Sequence, residues 1–185
     1  EFFNRGNSKY RLRDYQEAIA DFTRAIEIDP QYADSYYNRG KAKYDSRDYQ
    51  GAIDDYNKAI EINPRHAAVY NTRGLTKAYL YDYQGAIADY SKAIEINPLL
   101  ADAYYFRGYA KINLKDYQGA IVDYSKAIEI DPQFAYAYDK RGIAKYKSGD
   151  QQGACNDYKK AASIGSQSTT HWLNSEGGAW CRNMR

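Results

Sequence analysis

Four prolines, Pro30, Pro64, Pro98 and Pro132, stand 34 residues apart, and a chain with that period is built from one small unit used repeatedly. The segments between them agree at most positions. Ala33 to Pro64 reads ADSYYNRGKAKYDSRDYQGAIDDYNKAIEINP, equivalents begin at Ala67, Ala101 and Ala135, and a shortened copy starts at Glu1. A unit this short cannot bury its apolar side chains alone, so the units must stack, and composition has to be read unit by unit.

Each unit reads as two helices, because apolar or small residues recur three and four apart: Tyr36, Gly40 and Tyr44, then Ala52, Ile53, Tyr56, Ala59 and Ile60. Asp14, Asp48, Asp82, Asp116 and Asp150 lie between the two runs, where an aspartate can accept from the free amides of the second helix, and Asp14 with Glu17 has the spacing of a capping box. The second helix must end near each proline, which has no amide and restricts the residue before it. Gly51, Gly85, Gly119 and Gly153 fall inside the second helix, where the expectation is that they permit close helix packing.

The aromatic at Tyr36 with Gly40, Ala52, Tyr56, Ala59 and Pro64 resembles the tetratricopeptide repeat signature. The resemblance implies an all-α fold, a right-handed α-solenoid of five stacked helix-turn-helix repeats with a C-terminal capping helix. Expected boundaries are residues 1–166 for the repeats (about 1–32, 33–66, 67–100, 101–134 and 135–166), 167–176 for the capping helix and 177–185 for a tail. The fifth unit decays: Gln151 replaces a repeated tyrosine, Cys155 replaces an isoleucine and Ser166 stands where proline is due, which marks the end of the array. In phase with the repeat, Trp172 corresponds to Tyr138, so the next helix should cover the last apolar face, and Gly177 and Gly178 should break it.

The chain departs from the family pattern in a correlated way. Arg5, Arg39, Arg73, Arg107 and Arg141 occupy a place that the family usually gives to leucine. Lys9, Lys43, Lys77, Lys111 and Lys145 stand at an aromatic place, and Asp21, Asp55, Asp89, Asp123 and Asp157 at another. At about 100° per residue, Arg39 and Lys43 share the bearing of Tyr36 toward the second helix, which carries Asp55. The expectation is a ladder of internal arginine–aspartate pairs that fixes register. The alternative is an electropositive stripe for an acidic ligand.

In the family the first helix of each unit lines a concave groove. The positions opposite the ladder are then candidates for binding a peptide or protein: Phe3, Asn4, Asn7, Tyr37, Asn38, Lys41, Leu75, Tyr79, Tyr105, Phe106, Tyr109, Tyr136, Lys140 and Ile143. Several of these aromatics vary between units, and amphipathic aromatics suit a recognition surface. Tyr105, Phe106 and Tyr109 form the densest group and are the expected anchors. One subfamily grips C-terminal carboxylates with two asparagines and a set of cations. Asn7 and Asn38 match that pattern, but Phe3, Ala68 and Thr72 stand where cations are needed, so no such clamp is expected.

The remaining signals are mostly exclusions. Twenty-six basic and 24 acidic residues are interspersed and give a formal charge of +2, which offers no one-signed patch for nucleic acid. No run of about eighteen apolar residues exists, so membrane insertion is not expected. His66 and His171 have no partner at metal-ligand spacing and read as surface histidines, and no phosphate loop or catalytic constellation is visible. The expectation is a binding protein, not an enzyme, with no cofactor and no metal. Cys155 and Cys181 are too few for a disulfide framework, so the fold should not depend on redox state and the cytoplasm is the expected compartment, an upstream leader staying open because the chain starts at Glu1. Homo-oligomerisation through the groove or through a tail anchored by Trp180 is the second functional reading; against the tail stands the expectation that Trp180 folds back over the capping helix.

Overall fold

The computed structural model describes residues 1–183; Met184 and Arg185, the end of the expected tail, lie outside the described residues. Among the described residues the chain is all-α, with twelve α-helices and no strand. It divides into two compact units, Glu1–Asn97 and Pro98–Arg185. The first holds three packed pairs: α1 (Phe2–Arg11) with α2 (Tyr15–Ile28), α3 (Ala33–Asp45) with α4 (Tyr49–Ile62), and α5 (Ala67–Tyr79) with α6 (Tyr83–Ile96). The second holds α7 (Ala101–Asn113) with α8 (Tyr117–Ile130) and α9 (Ala135–Lys147) with α10 (Gln151–Ser163), followed by α11 (Gln167–Asn174), a single 3₁₀ turn (Glu176–Gly178) and α12 (Ala179–Arg182).

Small residues set how closely a pair can approach. Gly40 of α3 lies against the ring of Tyr56 in α4, so close that a β-carbon there would meet the ring at 2.6 Å. Tyr56 is fully buried, and its cluster continues through Ala52 and Ala59 to Val69 of the next pair. Phe22 does the same in the first pair, packing with Ala18 and with Ala42 of α3. In the second unit Tyr124 packs with Ala120 and reaches Ala144 of α9. Each such side chain removed from water contributes about 1.5–3 kcal/mol, and because it touches two pairs it holds the stack as well as the pair.

The helix starts correct two expectations. Asp48, Asp82, Asp116 and Asp150 accept from the amides of Gly51, Gly85, Gly119 and Gly153 at 2.8–2.9 Å. A β-carbon at Gly51 would lie 2.2 Å from the Asp48 carboxylate, so these glycines make room for a capping carboxylate and not for another helix. Asp14 makes no side-chain cap bond. Its partner position is Glu17, which has the β-carbon the other units lack, and the Glu17 carboxylate pairs with Lys9 instead of closing a capping box.

The C-terminal end also differs from expectation. Residues 177–182 are not a free tail: after α11 the chain turns back and α12 packs on α10 and α11, with Leu173, Tyr158, Cys155 and Cys181 buried together. Gly178 is buried in this return, where a β-carbon would stand 2.5 Å from the Trp172 carbonyl. The Arg182 guanidinium donates to the carbonyls of Leu173 and Ser175, which end α11. Cys155 and Cys181 form a disulfide, a correction to the expectation that the fold does not depend on redox. The premise for a fold indifferent to redox state, and for the cytoplasm, is thereby removed. No helix among the described residues is long and apolar enough to cross a membrane.

Candidate functional site

The first helices present two faces, and the ladder occupies one of them. In α3 the Arg39 guanidinium forks onto Asp55, donating from Nε to Oδ2 at 2.9 Å and from Nη2 to Oδ1 at 2.6 Å, while Lys43 Nζ stands 2.8 Å from the same carboxylate. The pattern repeats at Arg73–Asp89–Lys77, Arg107–Asp123–Lys111 and Arg141–Asp157–Lys145. Each guanidinium also lies over the tyrosine one turn earlier, at 5.4–5.6 Å from Tyr36, Tyr70, Tyr104 and Tyr138. The third nitrogen crosses to the preceding repeat: Arg39 Nη1 donates to Thr23 at 3.0 Å, Arg73 to Asn57 at 2.6 Å and Arg141 to Ser125 at 3.0 Å. The arginine thus ties three helices, and this forked geometry is one that lysine cannot supply. In the second to fifth repeats both cations of each set are committed to a buried aspartate, the internal pairing that the sequence led one to expect.

In the first repeat the fork is kept, since Arg5 binds Asp21 at 2.7 and 2.5 Å, but Lys9 turns to Glu17. The Arg5 guanidinium holds the Asp21 carboxyl below the usual carboxylate range.

The opposite face carries the sequence-nominated residues, and the structure sorts them. In the first unit, Phe3 is half-buried against Tyr32 and Phe22, with centroids 5.0 and 5.9 Å away. Asn4 is exposed, Asn7 and Leu75 are half-buried, and the Asn38 amide is bonded to the Asp34 carbonyl of its own helix at 2.8 Å. Lys41 Nζ lies 4.9 Å from the Tyr10 ring and 5.7 Å from Tyr37. Tyr37 spans adjacent first helices, its hydroxyl 3.4 Å from Thr72 and its ring against Tyr56 and His66. His66 is therefore half-buried, within 3.3 Å of Asp34, and not the bare surface histidine its loop position suggested. Tyr79 remains 55% exposed while touching Tyr44 and Tyr49 edge-on or tilted.

In the second unit, Tyr105 is half-buried. It packs against Phe106, Tyr124 and Phe134 at 5.2, 5.7 and 5.0 Å, and burial pushes its hydroxyl up to about 12. Phe134 sits in the turn before α9, and the contact recurs at the 34-residue period, as Phe3 with Tyr32 and Tyr37 with His66 at 5.0 and 5.3 Å. Phe106 is half-buried, whereas Tyr109 and Tyr136 are exposed.

Lys140 and Ile143, from α9, belong to a pocket of about 560 Å³ closed by Trp172 of α11 and Trp180 of α12. Trp180 lies 5.5 Å from Tyr146 and 6.1 Å from Trp172, and Trp172 lies 4.8 Å from Tyr158. The Thr169 hydroxyl donates to Asp139 at 2.7 Å, fastening α11 to α9. Sequence reasoning expected Trp180 to fold back over the capping helix, as it does, but did not foresee the pocket. The available signal was that the fifth unit's isoleucine becomes Cys155 at a packing position, the side now bridged to Cys181.

Helix pairs of this geometry, joined at a 34-residue period, define a class of repeat scaffold. Models of the tetratricopeptide repeat match residues 3–67 and 101–134, and a model described as TPR repeat matches 82–115. The chain belongs to the tetratricopeptide repeat family, an α-solenoid class of protein-interaction scaffold. Solved structures agree. A MamA crystal structure is 27% identical with a TM-score of 0.82, covering 89% of this chain and 96% of that one. MamA from Desulfovibrio magneticus RS-1 is 20% identical with a TM-score of 0.82, covering 94% and 96%. YrrB, described as a TPR protein with an unusual peptide-binding site, is 21% identical with a TM-score of 0.79, covering 94% and 91%. No curated protein matches the chain.

Proposed function

We propose that this protein is a scaffold that holds a segment of a partner protein along the faces of its first helices opposite the ladder, the groove side in this family. One observation carries the reading: Tyr79, Tyr109, Tyr136 and Tyr146 are 55, 41, 62 and 46% exposed, and all lie on first helices, while the second-helix residues Tyr56, Tyr90, Tyr124 and Tyr158 are buried. Exposed tyrosines supply contact area at small entropic cost, and a few such side chains dominate most interfaces. Lys41 and Lys140 add cations among them. Description of YrrB as peptide-binding is consistent with this use of the fold.

The anchors are revised from the sequence expectation. Tyr105 is committed to packing, so Tyr109 and Tyr136 are the accessible aromatics of the second unit. A captured partner segment, measured by fluorescence anisotropy, should bind the double variant Tyr109→Ala, Tyr136→Ala at least about 2 kcal/mol more weakly. Undiminished binding by the double variant would end the reading. Self-assembly through a free Trp180 tail has lost its anchor, because Trp180 packs on Tyr146 and Trp172 of its own chain.

A further inference from the structure

The pocket between α9, α11 and α12 has walls and charges that define an occupant. Its apolar surface comes from Trp172, Trp180, Tyr146, Tyr158 and Ile143, and its volume of about 560 Å³ accommodates one large side chain with its flanking backbone. The polar lining is asymmetric. Asp139 already accepts the Thr169 hydroxyl at 2.7 Å and stands 3.4 Å from Lys140 Nζ, so its charge is spent within the chain. Lys147 also lines the pocket, is exposed, and has no ion pair among the described residues. Two ammonium groups against one engaged carboxylate leave a positive rim beside an aromatic floor. A cationic or methylated ammonium ligand would meet Lys140 and Lys147 and is disfavoured.

We propose that this pocket is a subsite for a large apolar side chain, best an aromatic one, with a carboxylate residue adjacent to it in the partner segment. The inference rests on the reading of the first-helix faces as peptide-binding and adds the chemistry that this pocket selects. Aromatic area supplies the attraction, and the lysines choose an acidic neighbour over a neutral or basic one.

The protein carries its own reporter, since its two tryptophans both line the pocket. The probe is a capped hexapeptide with Phe-Asp at its centre in a Gly/Ser background, titrated against the full chain with its disulfide intact. Tryptophan emission should change saturably. Replacing the phenylalanine by alanine should weaken binding at least about tenfold, and replacing the aspartate by asparagine about threefold, a difference that added salt shrinks. Lys147→Gln, an exposed change that cannot unpack the fold, should bring the Asp and Asn peptides within about twofold of each other. No saturable change in natively folded protein, equal binding of the alanine peptide, or an Asp preference that survives Lys147→Gln would overturn the proposal. Failure of the wider reading is distinguishable. If the Phe-Asp peptide fails while a captured segment still loses affinity with Tyr109→Ala, Tyr136→Ala, only the subsite falls. If the peptide saturates the pocket while that double variant is indifferent, the subsite stands and the wider surface falls.

Discussion

The two faces of each first helix are built on different terms. On α7, Arg107 and Lys111 point to Asp123 and repeat residues found in every other unit, while Phe106 and Tyr109 on the other side follow no repeat. The ladder face is satisfied within the chain: aspartates 1–6% exposed, each held by a fork and, from the second repeat on, by a lysine. The opposite face leaves aromatic area open. On the function proposed above, holding the stack and meeting a partner fall to opposite sides of one helix, so each can be damaged separately.

The largest effect should come from the ladder. Arg73→Ala removes the fork to Asp89, the bond to Asn57 and the contact with Tyr70, yet leaves Lys77 2.8 Å from the buried carboxylate. Because one cation remains, the cost should be about 2–3 kcal/mol and not the full penalty of a bare buried charge, measured by urea unfolding. A loss near zero would mean that the pairs only decorate the surface.

Alkali should act next, through the buried tyrosines. Burial raises the hydroxyls of Tyr56, Tyr90 and Tyr124, and takes Tyr105 from 10.0 to about 12. A group whose folded value is raised contributes stability that is complete below its unfolded value, so stability should hold up to about pH 10 and fall as pH rises toward 12. Thermal melts across that range check the sign, and a constant melting temperature would show these rings to be wet.

A smaller effect of opposite sign is expected at Tyr56. Its buried hydroxyl has no hydrogen-bond partner among the described residues, and the first repeat already has Phe22 at that place. Tyr56→Phe should leave stability unchanged or raise it by about 1 kcal/mol. The smallest effect sharpens the comparison from within the ladder. Arg5 makes the same fork as Arg73 but its side chain is 53% exposed against 16%. Arg5→Ala should therefore unfold almost as the parent does, which would show that burial makes the ladder costly to break.

Much of this was legible in sequence because it recurs. The period located the helices, and three charges changing together at fixed spacing announced the pairing of Arg39 with Asp55 before any coordinates. What was not legible depends on contacts that a helical bearing does not reveal. Tyr105 looked like a free anchor because its burial comes from Phe134 in a turn, outside the helical bearing that nominated it. Gly51 looked like a packing residue because its place inside the second helix does not show that the Asp48 cap needs the space a β-carbon would fill. The C-terminal return, with Trp180 on Tyr146 and Cys181 on Cys155, has no second copy for a pattern to reveal.

One paired measurement on α7 tests the separation of the two faces most directly. Arg107→Ala and Tyr109→Ala, two residues apart, would each be carried through urea unfolding and partner-segment binding under conditions where both variants are folded. The account predicts that Arg107→Ala loses about 2–3 kcal/mol of stability and keeps its affinity, whereas Tyr109→Ala stays within about 0.5 kcal/mol of the parent's stability and binds at least about tenfold more weakly. If affinity falls with Arg107 and is indifferent to Tyr109, the ladder side is the recognition surface and the assignment of the two faces is reversed.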